Sequence, residues 1–89
     1  MNTLHLPIKK QWFDMILSGE KTEEYREIKP YWFARIWGKP IDVVEIRNGY
    51  GKSAPSAIFE CKGICKGIGK PEWGAPDKIV YIISLGVRK

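Results

Sequence analysis

The amino-acid sequence predicts an α+β fold: a small β-barrel of about five mixed strands with two short helices, in one domain over residues 1–89. Apolar residues recur at helical spacing in only two short segments, and a glycine follows each of them. The second half of the chain is rich in β-branched residues that alternate as in strands. Gly63, Gly67 and Gly69 share one parity, which indicates a bulge or bend that curls a sheet into a barrel.

In the first half, strands and helices are predicted to alternate. Residues 3–6 form a short strand, and the helix after it ends at Gly19, a residue suited to a left-handed stop. The apolar side of this helix consists of Ile8, Trp12, Phe13, Ile16 and Leu17. Residues 21–28 alternate as in an unusually polar strand, and Pro30 opens a second short helix that Gly38 closes. The buried side of the second helix is expected to hold Trp32, Phe33, Ile36 and Trp37.

Three more strands are predicted in the second half, over residues 41–48, 56–66 and 78–85. Loops at residues 49–55 and 70–77 connect them. The last strand is apolar on both faces, which is typical of a strand inside a sheet rather than at its edge.

Composition limits the classes of function. The chain has 89 residues with 15 Lys+Arg against 10 Asp+Glu, a formal net charge of +5, which favours polyanionic partners. Its length excludes an enzyme with separate cofactor and substrate domains. Lysines recur every four residues near the fourth strand, as a basic stripe or as a solvated strand edge: Lys62, Lys66 and Lys70. Because so short a chain needs large core side chains, three tryptophans are expected in the core rather than on a stacking surface: Trp12, Trp32 and Trp37.

Cys61 and Cys65 are predicted to be reduced, mostly buried thiols, because two cysteines four apart on a strand are too distant for a disulfide. A zinc site would need further ligands, and His5 is the only histidine, so we expect no metal and no cofactor. Residues 1–10 lack the apolar core of a signal peptide, and no apolar run approaches the ~20 residues of a membrane span. We expect a cytoplasmic protein that makes no membrane contact and works as a monomer.

The segment of residues 19–27 is more polar than its position predicts. It follows a core helix directly, yet neither of its faces is cleanly apolar. On a strand, Glu24 and Arg26 would project side by side, about 7 Å apart. If they line a barrel mouth, their charges are partly desolvated and costly unless paired, and such breaks of local rules concentrate at functional sites. The alternative is a solvated edge strand whose charges prevent aggregation.

Several short motifs cover nearly the whole chain. The sequences LHLPIK, ILSG and GxKTxExR stand at residues 4–9, 16–19 and 19–26. They are followed by NGY at 48–50, WG at 73–74 and LG at 85–86. Together these motifs resemble the ASCH domain family, whose fold is a PUA-like β-barrel, and the compact length is similar to its small prokaryotic and phage members.

The resemblance implies that the chain binds RNA or a modified nucleotide in a polar cleft beside the helix-to-strand junction. Lys21 would contact a phosphate or polarise a carbonyl, and Glu24 would accept a hydrogen bond from an exocyclic amine. Arg26 would support Glu24 or bind a phosphate as a planar fork. Asn48 would contact a base edge, and Tyr50 would stack on a base. The candidate ligand-binding residues are Lys9, Lys21, Thr22, Glu24, Arg26, Tyr31, Asn48, Tyr50 and Lys52.

An enzymatic alternative stays open beside the binding module that we expect. One branch of the ASCH family hydrolyses the acetyl amide of acetylcytidine with a lysine, a threonine and a glutamate. Lys21 matches that lysine, whereas Glu24 stands at the threonine position and the helix that carries the glutamate has no counterpart here. If the chain is an enzyme, we expect a hydrolase of a nucleoside or RNA with Lys21 and Glu24 as its catalytic residues. A ribonuclease and a protein-interaction module are the remaining alternatives.

Overall fold

The computed structural model, which describes residues 2–51 and 53–89, has its helices and strands close to the predicted positions. In chain order these are β1 (Thr3–Pro7), α1 (Lys10–Ser18), β2 (Glu23–Arg26), α2 (Pro30–Ile36), β3 (Val43–Arg47), β4 (Ser56–Ile68) and β5 (Ile79–Arg88). A short 3₁₀ turn at Pro71–Trp73 lies in the loop before β5. Gly19 ends α1 in the left-handed conformation (φ +88°), as predicted.

The strands form one curled sheet in the order β1-β3-β4-β5-β2. β1 runs parallel to β3, and the other neighbouring strands are antiparallel. The register of β4 against β5 shifts between Phe59 and Cys61 and again before Gly63, whose φ is +147°. This irregularity is the predicted bend, and the half-barrel with two helices confirms the predicted α+β fold class.

The core has two parts on opposite faces of β5. The main cluster joins both helices to β1, β3, β4 and β5, and its fully buried members are Leu6, Val44, Ile46, Tyr81 and Ile83. A smaller cluster of Tyr25, Ala75, Val80 and Ile82 lies on the other face, with Trp73 packed against it. Because both faces of β5 are buried and it pairs with β4 and β2, β5 is an interior strand, as predicted.

The predicted buried side of α2 is wrong for two residues. Ile36 is buried and Trp32 packs partly against the core, whereas Phe33 and Trp37 are 50% and 51% exposed. A helix of seven residues makes only two turns, so one narrow stripe can face the sheet. Phe33 and Trp37 each follow a core-facing residue by one position, about 100° around the helix, and therefore point away from the core.

Two smaller expectations need correction. β2 covers four residues rather than eight, because its pairing with β5 runs only from Glu23 to Arg26. Cys65 is exposed and Cys61 is half-buried, so the thiols are free but not mostly buried. By contrast, the solvated strand edge expected for Lys62 and Lys66 agrees with the structure. Both lie beyond Glu60, where the pairing of β4 with β3 ends, and among the described strands only β5 pairs with this part of β4.

Candidate functional site

A pocket of about 420 Å³ opens where the start of α1, strand β2, the start of α2 and the loop before β5 meet. Five aromatic residues supply much of its lining: Trp12, Tyr25, Trp32, Tyr50 and Trp73. Glu24 and Arg26 contribute charged groups, and the exposed Lys9, Glu27 and Lys29 stand at its mouth. The Lys29 Nζ lies 3.7 Å from the Glu27 carboxylate. The pocket therefore combines flat apolar surfaces with a small number of charges, which is typical of small-molecule sites.

Glu24 is the centre of a buried charge cluster. The Glu24 side chain is 5% exposed, and its Oε1 lies 3.3 Å from the Lys21 Nζ and 3.7 Å from the Arg26 Nη1. The backbone N–H of Tyr25 donates to the same oxygen at 3.1 Å. Since a buried carboxylate is costly without such partners, the two cations make its burial tolerable.

Lys21 lies behind the pocket rather than in its lining. It is 1% exposed, and its Nζ donates to the Trp73 carbonyl at 2.8 Å. The ammonium also lies 4.7 Å from the Tyr25 ring centre and 5.5 Å from that of Trp12. Burial lowers the pKa of Lys21, and the neighbouring Glu24 carboxylate opposes this shift. Lys21 thus joins β2, α1 and the loop before β5 around the base of the pocket.

Strand alternation would separate Lys21 from Glu24, yet their side chains meet. β2 begins only at Glu23, so Lys21 lies in the turn between α1 and the strand. Its backbone N–H donates to the Met15 carbonyl at 3.1 Å, which holds that turn against α1. The positive φ of Gly19 permits the sharp reversal that this placement requires.

Arg26 is fixed by backbone acceptors. Its Nη1 donates to the Tyr25 carbonyl at 2.6 Å and its Nη2 to the Pro7 carbonyl at 2.8 Å, which ties β2 to the end of β1. The guanidinium lies 5.2 Å from the Trp32 ring centre. Burial lowers the pKa of Arg26 and Glu24 raises it. With its donors engaged in this way, Arg26 supports the pocket wall beside Glu24.

The second carboxylate oxygen of Glu24 is unsatisfied. Among the described residues, no donor lies within hydrogen-bonding distance of Glu24 Oε2, although the atom is buried and the residue lines the pocket. A buried acceptor without a donor is unfavourable by about 1–3 kcal/mol, and by more when charged. Because Oε2 itself has almost no solvent-accessible surface, an N–H or O–H group in the pocket would reach this acceptor only after a local shift of the lining.

Tyr25 anchors the opposite side of β2. Its hydroxyl donates to the Glu23 carboxylate at 2.9 Å and accepts from the Lys70 backbone N–H at 3.1 Å. Burial raises the pKa of Tyr25 to about 12. A Cβ on Gly69 would lie 2.5 Å from the Tyr25 ring, so the ring packs directly on this glycine. These contacts fix the loop that carries Trp73.

The other candidate residues from the sequence are placed in different ways. Lys9 and Tyr50 line the mouth of the pocket, and Tyr50 is 89% exposed. Thr22 is exposed just before β2, where its carbonyl accepts from the Leu85 backbone N–H at 2.9 Å. Lys52 lies outside the described residues.

Tyr31 and Asn48 stand apart from the pocket lining. Tyr31 is exposed and packs edge-on against Trp32, with 4.8 Å between ring centres. Asn48 is half-buried, and its backbone N–H donates to the Pro55 carbonyl in the loop after β3.

Sequence reasoning missed four aromatic residues of the lining, namely Trp12, Tyr25, Trp32 and Trp73. Trp12 and Trp32 were expected wholly in the core, whereas each packs on the core with one part and on the pocket with another. The available signal was position: Trp12 lies in the first turn of α1 and Trp32 in the first turn of α2, beside the polar segment of residues 19–27.

No metal-binding group of three or more His, Cys, Asp or Glu residues occurs within residues 2–51 and 53–89. Over the same residues, no helix is long and apolar enough to cross a membrane. Comparison with family models, curated proteins and solved structures finds no match for this chain. The resemblance to the ASCH family stays a prediction from the motifs.

Proposed function

We propose that this chain is a binding module that takes a base of RNA, or of a modified nucleotide, into the pocket lined by Glu24. The observation that carries the proposal is the unsatisfied Glu24 Oε2. Cytosine, adenine and guanine bear exocyclic amino groups that can donate to it. Uracil carries a carbonyl oxygen at the position of the cytosine amino group, and this oxygen would face the carboxylate unfavourably.

The aromatic lining supports the same ligand class. Trp12, Trp32, Tyr50 and Trp73 line the pocket, where they would contact a planar heterocycle. Stacking of one base on an aromatic side chain contributes about 1–3 kcal/mol in single-stranded nucleic-acid complexes. The volume of about 420 Å³ lies within the range of small-ligand sites.

The charges divide into two groups in this proposal. Lys9 and Lys29 stand exposed at the mouth, where they would attract a phosphate. Lys21 and Arg26 are positioning residues, because they hold Glu24 Oε1 and leave Oε2 for the ligand. We propose from the sequence motifs that the chain belongs to the ASCH family, with the GxKTxExR motif as the segment that builds the pocket floor.

Tryptophan indole N–H signals in NMR spectra provide the test. The chain has four tryptophans, of which Trp12, Trp32 and Trp73 line the pocket and the exposed Trp37 does not. Titration with cytidine 5′-monophosphate is expected to shift the three pocket signals and leave the Trp37 signal in place. Absence of shifts at the three pocket indoles would contradict the proposal.

A hydrolase is the second candidate, and the Lys21–Glu24 pair at 3.3 Å is the observation that favours it. Glu24 would take a proton from water, the oxygen would attack the acetyl carbon of acetylcytidine, and the proton would pass to the leaving amine. Incubation of the protein with acetylcytidine decides the question. Release of cytidine and acetate that Glu24→Gln abolishes would establish the hydrolase, and no release would exclude this reaction.

We further propose that the module works in the cytoplasm as a monomer. Cys61 and Cys65 are free thiols, and Cys65 is exposed, which suits a reducing compartment. Sedimentation of the purified protein measures the state of association, and a stable dimer at micromolar concentration would contradict a monomer.

A further inference from the structure

A second set of aromatic residues lies outside the pocket, on the outer face of α2. Phe33 and Trp37 are about half exposed, and their rings stack with 6.3 Å between centres and an interplanar angle of 20°. Tyr31 is also about half exposed at the start of the same helix. A small domain rarely leaves three large aromatic rings in water without a partner for them.

Each end of this aromatic face carries a cation. The Lys66 Nζ lies 4.4 Å from the centre of the Trp37 ring, and the Arg35 guanidinium lies 3.6 Å from that of Tyr31. Residues 28–41 contain three cations and no acidic residue. The outer face of α2 is therefore both aromatic and uniformly positive.

A groove of about 600 Å³ continues this surface between the end of α2 and β4. Trp37, Lys39 and Ile64 are among its lining residues, and no acidic residue occurs among the described residues that line it. We call the outer face of α2 and this groove together the α2 platform. The platform adjoins the pocket, because Tyr31 packs edge-on against the pocket residue Trp32.

We propose that the α2 platform binds the single strand of nucleic acid that continues from the base held in the pocket. Exposed rings beside cations provide both base stacking and phosphate attraction, the two contributions that single-strand binding combines. α2 is about 10 Å long, which matches about three stacked bases at ~3.4 Å each. The proposal rests on the proposed function only for the base in the pocket, since the platform has its own binding groups.

Charge favours a nucleic acid over a protein as the occupant. Lysines are depleted in the buried parts of protein–protein interfaces, yet Lys66 lies over the Trp37 ring of the platform. A second copy of this chain would bring the same positive charges against each other. A polyanion instead complements the three cations of the platform, which are Arg35, Lys39 and Lys66.

The experiment measures fluorescence anisotropy of a labelled, cytosine-containing single-stranded RNA of about ten nucleotides, a length within the site sizes of single-strand binders. Trp37→Ala is expected to weaken strand binding at least about fivefold, because one base loses its stacking partner. The same variant is expected to bind cytidine 5′-monophosphate as the wild type does, because Trp37 lies outside the pocket. In NMR spectra the strand, unlike the mononucleotide, is expected to shift the Trp37 indole signal.

Lys66→Gln provides an independent variant that leaves the aromatic rings in place. It is expected to reduce the slope of log affinity against log salt by about 0.7, the value for one phosphate contact on a single strand. Lys89→Gln is the matched control, since it removes the same charge at the exposed C-terminal residue, and its slope is expected to stay at the wild-type value. Retained chemical-shift dispersion confirms that each variant is folded.

Three results separate the two proposals. If the mononucleotide binds and the strand binds no more tightly, or Trp37→Ala leaves strand affinity unchanged, the platform is overturned and the pocket stands. If the strand binds in a Trp37-dependent manner while the mononucleotide does not bind, the platform stands and the pocket proposal fails. If Trp37→Ala dissociates a dimer seen in sedimentation without weakening strand binding, the platform is instead an interface between two copies.

Discussion

Lys21 and Glu24 are the two buried charged residues of the part of the chain that the structure describes. Glu24 Oε1 receives two cations and a backbone N–H, while Oε2 receives no donor among these residues. A buried carboxylate oxygen that has neither a donor nor contact with water lowers the stability of the fold, even when the other oxygen is satisfied. The Tyr81 hydroxyl is likewise buried without a partner, but it lies in the core, whereas Glu24 lines the pocket.

Removing the ammonium of Lys21 is expected to destabilise the fold strongly. Lys21→Met keeps the aliphatic stem but leaves Glu24 with less compensation, which typically costs about 3–5 kcal/mol for a buried pair. Urea denaturation measures the loss of unfolding free energy, and adding Glu24→Gln to the variant is expected to restore part of it. The matched control is Lys10→Met, which breaks the exposed Lys10–Asp14 pair on α1 and is expected to cost less than about 1 kcal/mol. Equal losses for the two lysines would contradict this role of Lys21.

The raised pKa of Tyr25 predicts that the fold loses stability at alkaline pH. Its pKa is about 12 in the folded chain against 10.0 for the free side chain, so the folded state holds the proton more tightly. The contribution is complete below pH 10 and is lost as the pH rises toward 12, by at most about 2 kcal/mol. Denaturation at pH 9 and pH 11.5, compared between the wild type and Tyr25→Phe, isolates it. A difference between the two proteins that does not change with pH would contradict this prediction.

At the scale of elements, the pocket depends on how loops meet helices. Gly74 has a φ of +93°, and a Cβ there would lie 2.8 Å from the Trp12 ring, so the loop before β5 packs directly against α1. The same loop presents the Trp73 carbonyl to Lys21. The packing of Trp12 on Gly74 therefore positions two groups together: the Trp12 ring, which lines the pocket, and the Trp73 carbonyl, which binds Lys21.

Gly74→Ala and Gly19→Ala form a matched pair that tests this packing. Both glycines have positive φ, so an alanine is strained at either position by about 1 kcal/mol. Nothing lies within 4 Å of a Cβ at Gly19, whereas at Gly74 the Trp12 ring must also move. We expect Gly74→Ala to lower the unfolding free energy by at least about 1 kcal/mol more than Gly19→Ala, and to weaken mononucleotide binding. Equal losses of unfolding free energy in the two variants would show that the packing of Trp12 against Gly74 does not stabilise the fold.

Element positions followed from the sequence, because helical spacing, the Gly19 stop and the alternation of β5 all act locally. The polar segment around Glu24 was also recognisable, since it contradicted its surroundings. The contact between Lys21 and Glu24 could not be predicted from the sequence, because it depends on where β2 begins. The exposure of Trp37 depends on how α2 lies against the sheet, which no local pattern specifies.

For the whole molecule, the surplus of positive charge lies mainly outside the Glu24 pocket. The chain carries a net charge of +5, yet the segment of residues 20–27 holds four glutamates against two cations. The remaining basic residues are distributed over the helices and strands, including Arg35 and Lys66 beside the α2 platform. Net charge thus acts on the approach of a polyanion, while the pocket selects among bases.

This division predicts how salt affects the kinetics of binding. The association rate of cytidine 5′-monophosphate is expected to fall as salt rises, because attraction to Lys9, Lys29 and the overall charge is screened. The dissociation rate is expected to change little, since stacking and the bond to Glu24 are made inside the pocket. Stopped-flow fluorescence measures both rates, and cytidine, which lacks the phosphate, is the control whose association rate should not respond to salt. A dissociation rate that rises as steeply as the association rate falls would contradict the division.

The central claim is that Glu24 Oε2 accepts a hydrogen bond from the amino group of a bound base. Calorimetric titration of the wild type and of Glu24→Gln with cytidine and uridine 5′-monophosphates tests it most directly, since these ligands differ at that amino group. The wild type should bind the cytidine nucleotide at least about tenfold more tightly, as one hydrogen bond to a charged acceptor implies, and Glu24→Gln should lose most of this preference. Equal affinity of the wild type for the two nucleotides, or a preference that survives in Glu24→Gln, would contradict the claim.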